Sequence, residues 1–280
     1  MKIQKVNGEK MCLILFLYNK HPDYRLILAA NRDEFYDRPT SPLAFWNDAP
    51  DVLAGRDLKG TGTWLGITKN GRIAAITNFR EPTLFKPIAP SRGLLVSDYL
   101  TGTKTPKIYL KHIKTIGYRY NGFNLLLGDS SGFYYYSNKT EIIKELKPGL
   151  YGLSNHLLDT PWPKVEKGKA FFKSVLSKEK RINTEDIFSL LADRTFAPDD
   201  LLPDTGIGLK WEQILSSLFI TSDTYGTRSS SIVLMDRSHE ASFTERSFIP
   251  EESGSFKQKT RRFNFEISGC KNVGLEIKMK

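Results

Sequence analysis

Apolar and polar positions alternate in blocks along the chain, and the blocks predict β-hairpins. The runs "CLILFLYN" and "YRLILAAN" flank the turn "KHPD", and "TWLGITK" and "RIAAITNF" flank Asn70-Gly71. Turns of this composition between two apolar runs favour a hairpin. Two further pairs are "GFNLLLGD" with "FYYYSN" and "RSSSIVLMD" with "ASFTERSFI", and "RRFNFEI" predicts a last strand.

Between the hairpins, the apolar positions follow helical spacing. The predicted helices are "SRGLLVSDYL", "TPKIYLKHIKTI" with Pro106 in its first turn, "WPKVEKGKAFFKSVLSK", and "NTEDIFSLLAD" with Asn183 as N-cap. The stretch "FAPDDLLPDTGIG" predicts a loop. Hairpins on both sides of a helical middle favour an α+β fold, in which helices cover antiparallel sheets. Since no Pro/Gly/Ser-rich linker divides the chain, we expect a single domain.

The first hairpin brings a cysteine beside a cluster of polar residues. The cluster, "NRDEFYDR" at 31–38, directly follows the apolar residues "YRLILAA". If the turn is centred near residues 21–22, opposite residues have numbers that sum to about 43. Cys12 then lies opposite Asn31, and we expect its thiol to be close to Arg32, Asp33 and Glu34.

A cysteine in this position is either a nucleophile or a small buried apolar residue. A nucleophilic thiol needs a base to accept its proton, and histidine is the usual one. His21 lies in the turn, about 30 Å along the strand from Cys12. Among the four histidines, His156 in "GLSNHLLD" remains the candidate, which gives a Cys-His pair little support.

A second base is available if translation begins at Met11. Removal of that methionine would leave Cys12 as the first residue, with a free α-amino group of pKa about 7.7–8.0. Residues 1–10, "MKIQKVNGEK", are then an extension that comes from an over-long gene model. The Gly-Glu pair before Met11 fits this hypothesis, because its codons can spell a ribosome-binding sequence.

Charge and composition narrow the class of protein. The 280 residues carry a net charge of +10, and the excess of basic residues is concentrated in 85–119 and 164–181. Those stretches are either solvated helix faces or sites for phosphate-bearing ligands, nucleic acid or anionic lipid, and no nucleic-acid-binding motif accompanies them. No apolar run approaches the roughly 18 residues of a membrane span. Two cysteines, Cys12 and Cys270, suit a reducing compartment, and we expect a cytoplasmic protein.

Blocks of sequence from residue 11 to about 248 resemble the NRDE family, also called the transport and Golgi organisation protein 2 family. They include "MCLILFLYNK", "YRLILAANRDEFYDRP", "GTWLGIT", "RIAAITNFREP", "YNGFNLLLGD", "YGLSNHLLDTPWPKV", "YGTRSSSIVL" and "FTERSF". In that family a cysteine follows the initiator methionine, so residues 1–10 depart from the pattern. We therefore divide the chain into an extension (1–10), one domain (11–268) and a tail (269–280).

The family is similar to N-terminal-nucleophile (Ntn) hydrolases of the choloylglycine hydrolase and penicillin V acylase class. This implies a four-layer αββα sandwich of two antiparallel sheets. Residues that match the catalytic set of the class are Cys12, Asn78, Asn155 and Arg228. The class also has an Arg and an Asp three positions apart, whereas Arg32 and Asp33 are adjacent here. Arg32 and Asp33 are still candidate catalytic residues, but their roles and that of Glu34 stay open. Asn31 and Glu34 are candidate substrate-binding residues.

The resemblance implies two principal functions. One is a cysteine amidohydrolase that acts on an acyl amide, with an Asn amide stabilising the oxyanion. The other is a non-catalytic carrier of haem or an acyl-CoA-like ligand, linked to secretory-pathway organisation. A third and weaker alternative is a scaffold that contacts membrane surfaces through its basic stretches. We expect neither a metal nor a cofactor for the hydrolase.

Overall fold

Two antiparallel sheets form the centre of the molecule. The structure, a computed structural model, describes residues 12–176, 182–251 and 254–268, so that the predicted extension, Met11 and Cys270 lie outside the described residues. The strands are β1 (Cys12–Tyr18), β2 (Tyr24–Phe35), β3 (Thr40–Phe45), β4 (Val52–Asp57), β5 (Leu65–Thr68), β6 (Ile73–Asn78), β7 (Phe123–Asp129), β8 (Gly132–Ser137), β9 (Ile143–Glu145), β10 (Gly149–Leu153), β11 (Tyr225–Asp236), β12 (Glu240–Pro250) and β13 (Phe256–Glu266).

The order of the strands places the N-terminal hairpin inside one sheet. The first sheet has the order β10-β1-β2-β11-β12-β13, and the second runs β3 to β9 in sequence order. β1 is therefore paired on both sides, with β2 and with β10. Its first residue, Cys12, lies at the edge where β2 ends and where the chain leaves β10.

Helices cover the outer faces of both sheets. They are α1 (Gly93–Thr101), α2 (Pro106–Ile116), α3 (Pro163–Leu176), α4 (Thr184–Leu191) and α5 (Leu209–Ile214). α1 and α2 pack on the second sheet, and α3 and α4 pack on the first. Apolar residues of both sheets, such as Phe16, Leu126 and Phe243, meet in a common core between them. The layers are α, β, β and α, which confirms the predicted sandwich.

Local signals in the sequence explain most of these elements. Pro106 opens α2, and the Asn183 side chain accepts a hydrogen bond of 3.0 Å from the Glu185 N–H at the start of α4. Gly71 adopts φ +79° in the turn between β5 and β6, a conformation that glycine adopts without strain. The predicted loop, residues 196–208, contains one short 3-10 helix (Asp199–Leu201), and α5 begins directly after it. β10 was not predicted because its sequence, "GLYGL", has little apolar periodicity.

The register of the first hairpin differs by one residue from the prediction. Cys12 pairs with Arg32, and Leu13 pairs with Asn31, so the residue numbers sum to 44. In addition, β2 continues through the polar cluster to Phe35. Because side chains alternate along a strand, the cluster is divided between two faces: Arg32 and Glu34 share the inner face, and Asn31 and Asp33 face the helices.

Asn31 joins the first sheet to its helical layer. Its amide nitrogen donates to the Leu191 and Leu218 carbonyls, both at 2.8 Å, and its oxygen accepts a 2.6 Å hydrogen bond from Ser230. The side chain is 1% exposed. These three bonds engage both ends of the amide and give Asn31 a role in the packing of the fold. Its expected role in substrate binding stays a prediction.

This arrangement predicts that Asn31→Leu destabilises the protein. The substitution leaves two carbonyls and a hydroxyl buried without their partner, which should lower the free energy of unfolding by about 3 kcal/mol. Urea unfolding measures the change, with Asn264→Leu, on the exposed side of β13, as the matched control. A change of less than about 0.5 kcal/mol in Asn31→Leu, the range of ordinary surface substitutions, would contradict the assigned role.

Within the described ranges, none of the helices combines the length and apolar character needed to cross a bilayer.

Candidate active site

Two side chains from the segment after β10 hold the backbone of Cys12. The Cys12 N–H donates to Asn155 Oδ1 at 3.4 Å, and the Cys12 carbonyl accepts a 3.1 Å hydrogen bond from Ser154 Oγ. β10 ends at Leu153, which pairs with Ile14, so these two residues come directly beside the start of β1. The position of Cys12 is thus fixed by residues more than 140 positions away in the sequence.

Asn155 also connects this edge to the second sheet. Its amide nitrogen donates to the Asn78 carbonyl at 3.0 Å, and its own carbonyl accepts the Arg80 N–H at 2.7 Å. Thr77 Oγ1 adds a 2.8 Å hydrogen bond to the Ser154 carbonyl. Asn155 is fully buried. The end of β6 and the start of β1 are therefore held together at one end of the sandwich.

Arg32 occupies the inner face beside Cys12. Its guanidinium lies 4.3 Å above the centre of the Trp64 ring and donates to Glu34 Oε2 at 3.4 Å. Arg32 and Glu34 are both buried, at 6% and 1% exposed. The ion pair offsets part of the cost of burying each charge, and the stacked ring keeps the guanidinium beside the thiol.

Asp33 presents an unpartnered oxygen on the helical side of the same strand. Thr227 Oγ1 donates to Asp33 Oδ1 at 2.6 Å, while Oδ2 is buried with no hydrogen-bond partner among the described residues. Burial raises the pKa of the Asp33 carboxyl, and the positive charges of Lys164 and Arg32 with the Thr227 bond oppose that rise. A buried carboxylate oxygen with an unused lone pair is the natural partner for a further donor at this position.

Lys164 is the second unpartnered charge and was missed in the sequence as a site residue. It is the second residue of α3, is 3% exposed, and its Nζ has no hydrogen-bond partner among the described residues. Burial lowers the pKa of Lys164, and the nearby negative charge of Asp33 opposes the shift. The sequence did contain one signal. A positive charge in the first turn of a helix interacts unfavourably with the helix dipole, so a lysine at this position suggests a role other than helix stabilisation.

The surroundings of Cys12 favour the protonated form of its thiol. Burial, the largest effect, and the charge of Asp33 raise the pKa of Cys12 to about 12, although the Asp33 N–H and Arg32 favour the thiolate. Thiolate is the reactive species of cysteine. A reaction at Cys12 therefore needs a base that takes the proton inside the site.

The histidines do not supply that base. His156 packs between the rings of Phe79 and Trp162, and its Nδ1 is 2.8 Å from Thr160 Oγ1. His21 lies in the turn at the other end of the first hairpin, where its Nδ1 accepts from the Asp23 and Tyr24 N–H groups. No histidine is among the described residues that line the cavity beside Cys12.

That cavity has a volume of about 520 Å³, within the range of small-molecule sites. Cys12, Arg32, Asp33, Glu34 and Asn78 line its reactive end. Its apolar wall is formed by Trp64, Ile76, Phe85, Pro87, Ala89 and Pro90. The charged side chains at the rim are Arg38, Asp57, Lys59 and Arg92. The arrangement offers polar groups to one part of a ligand and apolar surface to another.

Arg228 is not among the residues that line the cavity. It lies at a β-bulge in β11, and its guanidinium donates to the Phe35 and Arg38 carbonyls at 2.8 and 3.1 Å. Burial, the largest effect, and the positive charge of Arg32 lower the pKa of Arg228. Its contacts position the end of β2, whereas the residues around Cys12 form the wall of the cavity.

Comparison with known proteins agrees with the sequence blocks noted above. The model of the family described as Transport and Golgi organisation 2 matches residues 11–250. The chain belongs to this family. Members similar to it are the Transport and Golgi organization 2 homolog of Mus musculus and that of Homo sapiens. Each is 37% identical over 278 residues, covering 91% of this chain and 100% of the relative. The Drosophila melanogaster protein is 32% identical over 263 residues, covering 84% of this chain and 91% of the relative.

Among solved structures, the chain is similar to a Caenorhabditis elegans N-acylethanolamine-hydrolyzing acid amidase ortholog. The identity is 10% and the TM-score is 0.47, with 80% of this chain and 92% of that chain covered.

The burial of Lys164 gives a test that does not depend on function. A lysine whose pKa is lowered on folding, from 10.5 to about 8, binds fewer protons in the folded protein than in the unfolded one between those values. Stability must therefore rise with pH across this window, relative to a variant that lacks the group. We expect the free energy of unfolding of the wild type, minus that of Lys164→Met, to increase by up to about 3 kcal/mol from pH 8 to 10.5.

Urea unfolding at several pH values measures this difference. Lys167→Met is the matched control, because that lysine lies on the same helix but its side chain is 44% exposed. Parallel pH dependence in the wild type and Lys164→Met would show that the ε-amino group is not buried as described.

Proposed function

We propose that this protein is a cysteine amidohydrolase of the N-terminal-nucleophile type, with Cys12 as the first residue and the nucleophile. The supporting observation is the setting of Cys12: its nitrogen lies 3.4 Å from Asn155 Oδ1, and the residue lines the cavity. Asp33 and Lys164, which carry the unpartnered Oδ2 and Nζ atoms, lie within electrostatic range of it. An α-ammonium group at Cys12 can donate hydrogen bonds to Asn155 Oδ1 and to Asp33 Oδ2. The substrate is a small acyl amide.

The α-amino group supplies the missing base. Its ordinary pKa of about 7.7–8.0 makes it partly neutral at physiological pH. The charge of Lys164 lowers the pKa of a neighbouring amine, whereas the Asp33 carboxylate raises it. The two together hold the amine in place and keep a useful fraction unprotonated, so Lys164 is a positioning residue that acts through the α-amino group.

The reaction then follows from the positions of these groups. The α-amino group takes the thiol proton as Sγ attacks the amide carbonyl, and the carbonyl oxygen becomes an oxyanion. The ammonium returns the proton to the leaving amine as the C–N bond breaks, which leaves an acyl group on Sγ. Water, activated by the same amine, hydrolyses the thioester and regenerates the thiol.

The two asparagines have different roles in this proposal. Both ends of the Asn155 amide are engaged, with the Cys12 N–H and with the Asn78 carbonyl, so Asn155 positions the nucleophile. The Asn78 side chain lines the cavity and is the candidate donor to the oxyanion, an interaction that contributes about 10²–10³ in rate in other enzymes. Arg32 stabilises thiolate, and Glu34 holds Arg32 in place.

A second candidate function is non-catalytic binding of haem or an acyl-CoA-like ligand, within secretory-pathway organisation. It is favoured by the raised pKa of Cys12 in the chain with residue 11 attached, since a protonated buried thiol behaves as an apolar side chain. The apolar wall of the cavity and the basic side chains at its rim suit an amphiphilic ligand. Both functions are compatible with a cytoplasmic location.

We predict that exposure of Cys12 separates the two functions. Three proteins are compared: the full chain, a chain that begins at Cys12, and the latter with Cys12→Ala. Each is assayed against fluorogenic acyl amides of increasing chain length. Only the chain that begins at Cys12 should turn over, and Cys12→Ala should lose about 10³-fold or more, the scale on which nucleophile removal acts.

Asn78→Ala in the same background should lower kcat by about 10²–10³ with little change in KM. The hydrolase proposal would be overturned in favour of the carrier function by two results together. The chain that begins at Cys12 would show no turnover, and an acyl-CoA or haem would quench its tryptophan fluorescence saturably.

A further inference from the structure

The connection between β6 and α1 exposes large apolar side chains at the rim of the cavity. Leu84 is 60% exposed, Phe85 38% and Ile88 98%. Single exposed apolar residues are common on protein surfaces, but three within five positions give this connection an apolar tip. We call residues 84–88, "LFKPI", the apolar loop.

The apolar loop is held in place by the turn that follows α2. The Asn121 side chain accepts from the Lys86 N–H at 2.7 Å and donates to the Lys86 carbonyl at 2.9 Å, and Lys86 Nζ donates to the Tyr118 carbonyl at 2.6 Å. Tyr118 is itself 71% exposed. The apolar tip and the tyrosine are therefore neighbours, and their exposure is a fixed feature of the fold.

Positive charge lies along α2 and on the turn that follows it, the turn that holds this tip. Residues 99–128 contain no Asp or Glu, and they carry Lys104, Lys107, Lys111, Lys114 and Arg119, all of them exposed. Before the loop, Glu81 forms an ion pair with Lys139. The surface thus combines an apolar tip and an aromatic side chain with a basic border, the composition of elements that insert at the interface of an anionic bilayer.

We propose that the apolar loop and Tyr118 insert into the surface of an anionic phospholipid bilayer, with the basic residues at the end of α2 contacting the headgroups. A second copy of this chain is a poorer occupant, because a symmetric contact sets the same basic border against itself. The proposal does not depend on hydrolysis.

The position of the loop gives this contact a consequence for ligands. Phe85, Pro87, Ala89 and Pro90 line the cavity next to Cys12, so the same segment forms the bilayer contact and one wall of the site. An amphiphilic molecule leaving the bilayer at this point meets the cavity without crossing water. The ligand class that fits is a single-chain amphiphile whose head reaches the polar end at Arg32 and Asn78.

Vesicle co-sedimentation tests the proposal. The full chain is mixed with vesicles of phosphatidylcholine and phosphatidylserine, or with phosphatidylcholine alone. We expect binding to the anionic vesicles, weaker binding as salt is raised, and a loss of roughly tenfold or more in affinity for Leu84→Ser/Ile88→Ser, since two large apolar side chains no longer leave water. Lys114→Glu/Arg119→Glu should also weaken the binding of the protein to anionic vesicles.

Ile108→Ser is the matched control. Ile108 is 55% exposed on the first turn of α2, roughly 15 Å along the helix from Tyr118 at 1.5 Å per residue, and its substitution should leave binding unchanged. Three outcomes would each overturn the proposal. The first is no binding to anionic vesicles, and the second is an equal loss of vesicle affinity in Ile88→Ser and Ile108→Ser. The third is self-association of the protein that Leu84→Ser/Ile88→Ser abolishes. Because the readout is sedimentation, none of these outcomes depends on whether the protein hydrolyses an amide.

Discussion

The hydrogen bonds of one buried amide, that of Asn155, define the candidate site. The oxygen of this side chain accepts the Cys12 N–H, and its nitrogen donates to the carbonyl of Asn78. Cys12 belongs to the first sheet and Asn78 to the second. A single residue, Asn155, therefore sets the distance between the thiol and the wall of the cavity. An aliphatic side chain here would leave both groups unpartnered in the interior, which is costly. The amide therefore serves the fold and the site at once.

Strand alternation decides which side each residue of the "NRDE" segment faces. The sequence shows four consecutive polar residues, which the predicted hairpin brings as one group to the thiol. In the structure β2 continues to Phe35, and the register is one residue from that expected. Arg32 and Glu34 consequently share the inner face with Cys12, and Asn31 and Asp33 face the helices. The hairpin itself was predictable from its turn, but a one-residue change in register exchanges the faces.

Long-range contacts account for what the sequence did not reveal. The motif order identified Asn78 and Asn155 as candidates, but their separate roles depend on how the segment after β10 meets the end of β6. Lys164 belonged to a basic helical stretch in the sequence, and its place in the first turn of the predicted helix was the one local feature that set it apart from Lys167. Its burial beside Asp33 arises from the packing of α3 on the first sheet, which places one lysine inward and the other in solvent.

The reactivity of Cys12 in the chain that begins at that residue decides whether the thiol is a nucleophile. Both cysteines are alkylated with limiting iodoacetamide over a range of pH, and each site is quantified by mass spectrometry, with Cys270 as the internal reference. We expect preferential alkylation of Cys12 with an apparent pKa clearly below the ordinary value of about 8.5, because the α-amino group takes the proton. If Cys12 stays unreactive until the protein unfolds, while Cys270 reacts normally, the thiol is not a nucleophile and belongs to the core.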